Sequence, residues 1–224
     1  GLATPLAGSI NVATSQPGTR RIAYVLQTTR VNESLPISVG EVVAMGRYAS
    51  TGYYRRLTAD DKRVVAVAME RLAITDLTSK HLQELSGGQR QRVFVAQGLA
   101  QDHDILLLDE PLTGIDLPTA QAIDKVIHDE KSRGCAVVMT THDLSEATVA
   151  DHVLLLSGRV VASGPPDEVL TAKNLAAAYG ESLLHLDEGQ VFLDDPAHIP
   201  VPGRHVHRER SIHTEGSPTE LHGE

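Results

Sequence analysis

The chain opens without a helical period, and its first regular signals are short and strand-like. Gly8-Ser9-Ile10-Asn11-Val12 follows a turn-rich stretch and predicts a short strand; Arg21-Ile22-Ala23-Tyr24-Val25-Leu26-Gln27 is an apolar run closed by a polar residue and predicts another. A loop with Pro36 follows. From Ser38 the pattern changes, because Val39, Val42 and Val43, then Val64, Val67, Ala68 and Leu72, recur at spacings of three and four. Thr58 with Asp61 has the form of a capping box that opens the second of these helices. Residues 30–85, or about 30–100 with the next helix included, read as a small helical subdomain.

Beyond Ser86 the elements alternate, which is the pattern of a parallel sheet with crossover helices. The spacing predicts a helix over 87–100, a strand Asp104–Leu108, a helix Leu117–Arg133, a strand Cys135–Thr140 and a short helix Leu144–Val149. Strands Val153–Leu156 and Arg159–Ala162 then flank the turn Ser157-Gly158, and Asp167–Tyr179 adds one or two helical turns. Gly134 stands where a helix stop belongs. Ile105–Leu108 and Ala136–Met139 are apolar without alternation, as expected of strands covered on both faces. After about Asp194 come Pro196, Pro200, Pro202 and Pro218 with many charges and no period, so residues 196–224 have the composition of a disordered tail and residues 1–195 that of one domain.

Composition narrows the class. With 224 residues and 41% hydrophobic content a core can be buried, but only 3% is aromatic, so aliphatic side chains must build it. The single cysteine, Cys135, excludes an internal disulfide, and no early apolar run resembles a signal peptide, which makes a reducing cytoplasm the expectation. No stretch reaches the roughly 20 apolar residues that span a bilayer. The net charge of −9 argues against a general nucleic-acid surface. The charge is uneven: residues 1–57 carry six Arg against two Glu, while residues 181–224 carry three Arg against nine acids. The basic opening is the one region suited to an acidic partner, with a merely solvated surface as the alternative.

Three strings carry candidate chemistry. In Leu85-Ser86-Gly87-Gly88-Gln89, adjacent glycines before a helix let backbone N–H groups approach a phosphate; the same string also reads as an ordinary Ser-capped helix start. Ile105-Leu106-Leu107-Leu108-Asp109-Glu110 delivers two carboxylates to the carboxyl edge of a parallel sheet, where Asp109 can hold Mg²⁺ and Glu110 can polarise a water for attack on a terminal phosphoryl group. The strand ending at Thr140 brings His142 to the same edge, although a lone histidine there can equally be a surface or capping residue.

Their order is more telling than any one of them. A polar residue after a strand (Gln27), then LSGGQ, then four aliphatics with Asp-Glu, then Thr113-Gly114-Ile115-Asp116, then His142, resembles the nucleotide-binding subunit of an ABC transporter over about residues 8–180. The resemblance implies an α/β fold, a P-loop NTPase-like ABC ATPase domain with a parallel sheet, crossover helices and a helical subdomain. It implies ATP and Mg²⁺ as cofactors, with Gln27 as the Q-loop glutamine touching the Mg²⁺ and Asp109 as the Walker B aspartate. Glu110 becomes the catalytic base and His142 the switch histidine. Ser86, Gly87, Gly88 and Gln89 become the signature motif, facing the γ-phosphate of ATP held by the opposite subunit, and Asp116 the D-loop aspartate at that interface. The implied partners are a second ATPase subunit, as a homodimer, an integral membrane permease and an extracytoplasmic metal-binding protein, with no nucleic acid. The implied location is the cytoplasmic face of the membrane, peripheral through the permease.

Pro36-Ile37-Ser38-Val39, Val42–Tyr48, Arg92–Ala96 and Pro111–Asp116 look like the manganese and zinc importers' ATPases more than those of iron-chelate, haem or cobalamin importers. In the family the segment with Arg47, Tyr48, Tyr53, Tyr54, Arg55 and Arg56 docks the permease's coupling helix, which an aromatic and basic patch suits; a core-facing tyrosine pair is the alternative. The family's phosphate loop, GxxxxGK[ST], occurs nowhere in these 224 residues. The expectation is therefore a chain without the family's first strands and phosphate loop, either a fragment or a subunit donating only the signature half-site. Gln97-Gly98 stand where the family has Arg-Ala, and Leu26 where proline is common. Six of the 11 histidines, His185, His198, His205, His207, His213 and His222, lie in the last 40 residues, where a solvated tail or a metal-binding tail are both open.

Overall fold

The computed structural model describes residues 4–12, 21–27, 36–51, 56–180, 184–187 and 190–193. They belong to two compact units, Gly1–Val149 and Ala150–Glu224.

In the first unit, β1 (Ile22–Val25), β2 (Ile105–Asp109) and β3 (Ala136–Thr140) form a parallel sheet in the order β1-β2-β3. The register aligns Ala23 with Leu106 and Leu106 with Val137, so side chains of one parity share a face. Between β1 and β2 lie α1 (Val39–Met45), α2 (Tyr48–Thr51), α3 (Ala59–Arg71) and α4 (Gly87–Leu99). Each of the longer helices starts where the sequence supplies a reciprocal cap: Ser38 with Glu41, Thr58 with Asp61, and Ser86 with Gln89. Then α5 (Leu117–Ser132) connects β2 to β3, capped by Asp116, and α6 (Leu144–Thr148) follows β3, capped by Asp143.

One apolar core joins the helices to the sheet. Val39, Val43, Leu72, Val93 and Ala96 from the helices meet Ala23 and Leu106 from the strands and Ile123 from α5, each fully buried. Helix α4 lies close against β1 because position 98 is glycine: a Cβ there would sit 2.7 Å from Val25 Cγ2. The glycine at 98 is thus a packing feature.

Several expectations need correction. Gly8–Val12 is not a strand. β2 and β3 are not covered on both faces: Val138 is 54% exposed and Tyr24, aligned with it through Leu107, is 48% exposed. Apolarity on both parities says what a strand can bury, whereas α4 and α5 share a core with only one parity of the sheet. Arg47 is not part of an exposed basic patch. It is buried, donating to Asp61 Oδ1 at 2.9 Å, to the Ala100 carbonyl at 2.9 Å and to Asp102 Oδ1 at 3.1 Å, so it ties α1 and α3 to the end of α4. Tyr48 is half-buried and Arg56 exposed; Tyr53, Tyr54 and Arg55 lie outside the described residues.

The second unit holds an antiparallel pair, β4 (Val153–Leu156) and β5 (Val160–Gly164), with a bulge between Leu155 and Leu156, then α7 (Pro166–Val169) and α8 (Ala172–Tyr179). Leu155, Val169 and Leu175 are its buried apolar side chains. A further antiparallel pair, β6 (Leu184–Asp187) and β7 (Gln190–Leu193), comes next. The expected tail, with His198, His205, His207, His213 and His222, lies outside the described residues, as does the His185 side chain. Among the described residues no helix is long and apolar enough to cross a membrane.

Candidate functional site

Because the three strands run in one direction, their carboxyl ends make a single edge. Gln27 lies just past β1, Asp109 closes β2 with Glu110 beside it, Thr140 closes β3, and His142 stands two residues on. Leu107 and Val138 share the other parity with Asp109 and Thr140, and the register pairs Asp109 with Thr140 directly.

Glu110 has φ +44°, in the left-handed region, where a non-glycine residue costs roughly 1–2 kcal/mol. Its amide is held from two sides, by the Thr140 carbonyl at 3.2 Å and by Thr140 Oγ1 at 3.0 Å. This turn brings the Glu110 carboxylate over the sheet edge. Oε2 there accepts from Gln27 Nε2 at 2.7 Å and from Thr113 Oγ1 at 3.3 Å, and His142 Nδ1 lies 3.4 Å away. Asp109 accepts from Thr140 Oγ1 at 2.6 Å through Oδ1 and from the Tyr24 hydroxyl at 3.4 Å through Oδ2. Thr140 therefore orients both acids with one hydroxyl.

A cleft of about 260 Å³ opens here, lined by Gln27, Gly87, Gln91, Glu110, Thr113, Gly114 and Ile115. The four expected signature residues divide in their contacts. Ser86 and Gln89 cap α4 reciprocally: Ser86 Oγ accepts from the Gln89 amide at 3.3 Å and Gln89 Oε1 from the Ser86 amide at 3.0 Å. Gly88 is demanded by packing, since a Cβ would meet Thr119 Oγ1 at 2.8 Å and Asp116 Oδ1 at 3.4 Å. Gly87 is not: among the described residues nothing lies within 4 Å of the place its Cβ would take. Asp116 caps α5, accepting from the Thr119 amide at 2.9 Å, and hydrogen bonds from the Thr119 side chain and amide hold its carboxyl below the usual carboxylate range.

Gln27, Asp109, Glu110 and His142 thus come together as the sequence predicts. Thr140 and Tyr24 were missed. The legible signal for Thr140 was its place as the last residue of a strand parallel to one ending in Asp109; for Tyr24 only the register, which sequence does not give, reveals it.

The oxygen set at this edge suits a hard divalent cation. Asp109 keeps only a long contact on Oδ2, and Gln27 spends its nitrogen on Glu110, leaving its carbonyl oxygen to act as an acceptor. The oxygens left to Asp109 and Gln27 are of the kind that Mg²⁺ takes.

Residues 1–113 match the family model described as ABC transporter. The manganese transport system ATP-binding protein MntB of Bacillus subtilis is 38% identical over 169 residues, 75% of this chain and 68% of that protein. The chain belongs to the ABC transporter family. Among other ABC transporter proteins, the chelated iron transport system membrane protein YfeB of Yersinia pestis is 41% identical over 175 residues, 78% of this chain and 59% of that protein. The manganese transport system ATP-binding protein MntA of Synechocystis is 37% identical over 71% of this chain and 62% of that protein. The alignments thus take in about three-fifths of the length of these curated relatives. In structure, an ABC transporter described as of metal-chelate type, in an inward-facing conformation, superposes with a TM-score of 0.70 at 27% identity, covering 85% of this chain and 75% of that one. The ADP-bound ATP-binding cassette MJ1267, at 20% identity and a TM-score of 0.58, shows the same ABC ATPase fold over 71% of this chain and 68% of that one.

Proposed function

We propose that this chain serves an ATP-hydrolysing subunit that drives import of a divalent metal ion of the manganese or zinc type. The observation that carries the reading is the convergence of Gln27, Thr113 and His142 on one oxygen of Glu110, beside an Asp109 oriented by Thr140. In this reading Glu110 is the general base: its carboxylate accepts a hydrogen bond from the attacking water and takes up a proton as the water adds to the γ-phosphoryl group, whose bond to the bridging oxygen breaks to release ADP. Gln27 holds the carboxylate until substrate arrives, and His142 donates to the γ-phosphate from the other side. Mg²⁺, held by Asp109 and Gln27, supplies charge neutralisation on the phosphate oxygens.

Gly87 supports a shared site. The described residues leave the space beside it open, and an ATP approaching the α4 N-terminus from an opposite, identical subunit would fill it. The further partners are a permease, which holds the subunit at the cytoplasmic face of the membrane, and an extracytoplasmic metal-binding protein. We read residues 1–195 as the ATPase domain and 196–224 as an appended tail. The manganese relatives favour a manganese or zinc cargo; the Yersinia chelated-iron relative supports an iron-chelate cargo as the second reading.

One rival is a chain that donates only a signature half-site. The test is made on the assembled transporter, by uptake of radioactive manganese, zinc and chelated iron. The proposal expects ATP-dependent uptake of a free divalent ion, lost in both Glu110→Gln and Ser86→Arg. Loss with Ser86→Arg alone establishes the half-site rival, and uptake of chelated iron only overturns the cargo assignment.

A further inference from the structure

At the opposite end of β2 from Glu110, about 15–20 Å away at ~3.3 Å per residue, lies a second group of ligating side chains. His103 sits between α4 and β2, Glu130 in the last turn of α5, and Cys135 just before β3. The His103 and Glu130 side chains are 4% and 2% exposed, and Cys135 is half-buried. One ligand atom from each lies within 4.8 Å of the others.

The hydrogen bonds of His103 leave something to be supplied. Nδ1 is 2.8 Å from the Gln101 carbonyl, which can only accept, so the ring's N–H is there. Nε2 is 3.2 Å from Glu130 Oε2, a carboxylate oxygen, which also only accepts. Two lone pairs do not face each other in a buried place without a cation between them. A second ring proton can fill that role, and so can a metal ion.

Cys135 favours the metal, since an imidazolium needs no third donor and a transition metal does. We propose that His103, Glu130 and Cys135 bind a borderline-soft divalent cation, with zinc favoured over manganese by the thiolate and imidazole ligands.

The surroundings fit this use. The Gln101 carbonyl fixes the tautomer that presents Nε2, as carbonyls do for metal-binding histidines. Arg71 and Arg133 both donate to Glu130 Oε1, which orients the carboxylate and leaves Oε2 for the ion. Asp104, paired with Arg21, and Asp129, paired with Arg71, complete a set of three carboxylates and three guanidiniums, so an incoming dication and one thiolate add a single net positive charge. Burial and the nearby Glu130 raise the Cys135 thiol, so the ion displaces a proton: S–H breaks, S–metal forms, and H⁺ leaves to solvent. Three protein ligands leave a fourth position for water.

Cobalt titration of the full chain tests the site, because Cys135 is the single cysteine and a thiolate-to-cobalt charge-transfer band can come from nowhere else. The expected result is such a band, saturating at one ion per chain and abolished by zinc. Cys135→Ser should remove it, and His103→Gln should weaken cobalt binding at least about tenfold. Zinc should raise the melting temperature of the native chain more than that of Cys135→Ser. Saturation without the band, or zinc stabilisation unchanged in Cys135→Ser, overturns the proposal: the cation then sits on other histidines, and His103–Glu130 is an imidazolium ion pair. Should His103→Gln fail to fold, the Cys135→Ser comparison decides alone.

Discussion

The Gln27 carboxamide donates to Glu110 Oε2 at 2.7 Å, joining the ends of two neighbouring strands that lie 83 positions apart in sequence. Replacing that neutral donor with a carboxylate sets two like charges against each other. Like charge disfavours ionisation and raises a carboxylate's pKa. Gln27→Glu should therefore move the acid limb of the transporter's ATPase profile to higher pH, while Gln27→Ala lowers activity without moving the limb. An unshifted limb in Gln27→Glu would show that the two side chains are apart in the working enzyme.

Thr140 bonds Asp109 Oδ1 and the Glu110 amide with one hydroxyl. Thr140→Val keeps the shape and removes both bonds, so it should cost about 1–2 kcal/mol in urea unfolding and raise the Mg²⁺ concentration needed for half-maximal hydrolysis. Thr140→Ser should restore both, which a general packing defect would not allow.

Gly87 and Gly88 should separate cleanly. Alanine at 88 meets Thr119 Oγ1 at 2.8 Å and should destabilise the fold by about 1–3 kcal/mol. Alanine at 87 meets nothing and gains helix propensity, so stability should be unchanged or rise by up to ~1 kcal/mol. Activity should nevertheless fall in Gly87→Ala, because the proposed shared site puts a ligand of the opposite subunit in that space. Full activity in a stable Gly87→Ala transporter would contradict the shared site.

Two carboxylates are held at about 2: Asp61, by hydrogen bonds from the Thr58 side chain and amide and from Arg47, and Glu130, where its contacts with His103 and Arg71 outweigh burial. Both lie below their ordinary values of 3.8 and 4.5. A depressed carboxyl contributes stability that is complete above its unfolded value and is lost as pH falls towards its folded one. The melting temperature should thus be flat above about pH 5 and fall steadily between about 5 and 2. Asp61→Asn should melt lower at pH 7 and show a shallower fall over that window; an equally steep fall would remove Asp61 from the account.

Much of this was legible because the local rules agree with the fold. Ser38, Thr58 and Ser86 announce their helices through caps that form within four residues of each other, and Ile105–Asp109 announces a strand by composition. The candidate residues Asp109, Glu110 and His142 were legible for a different reason: in a parallel sheet, strand ends share an edge whatever the register, whereas Gln27 was singled out only by the family resemblance. What stayed hidden needed the third dimension. Arg47 reads as a surface cation until Asp61, Asp102 and the Ala100 carbonyl surround it, and each of those is brought there by tertiary packing. The exposure of Tyr24 and Val138 was hidden because an apolar strand does not state which face its helices take. His103, Glu130 and Cys135 carry no spacing motif, since three separate segments deliver them.

The central claim is that Glu110 is the base for hydrolysis, and phosphate release by the assembled transporter tests it most directly. Glu110→Gln keeps size and hydrogen bonding but cannot take a proton. The account predicts a rate lower by about 10²–10⁴-fold with ATP binding retained. A Glu110→Gln transporter that binds ATP and hydrolyses it within a few-fold of the native rate would contradict the account.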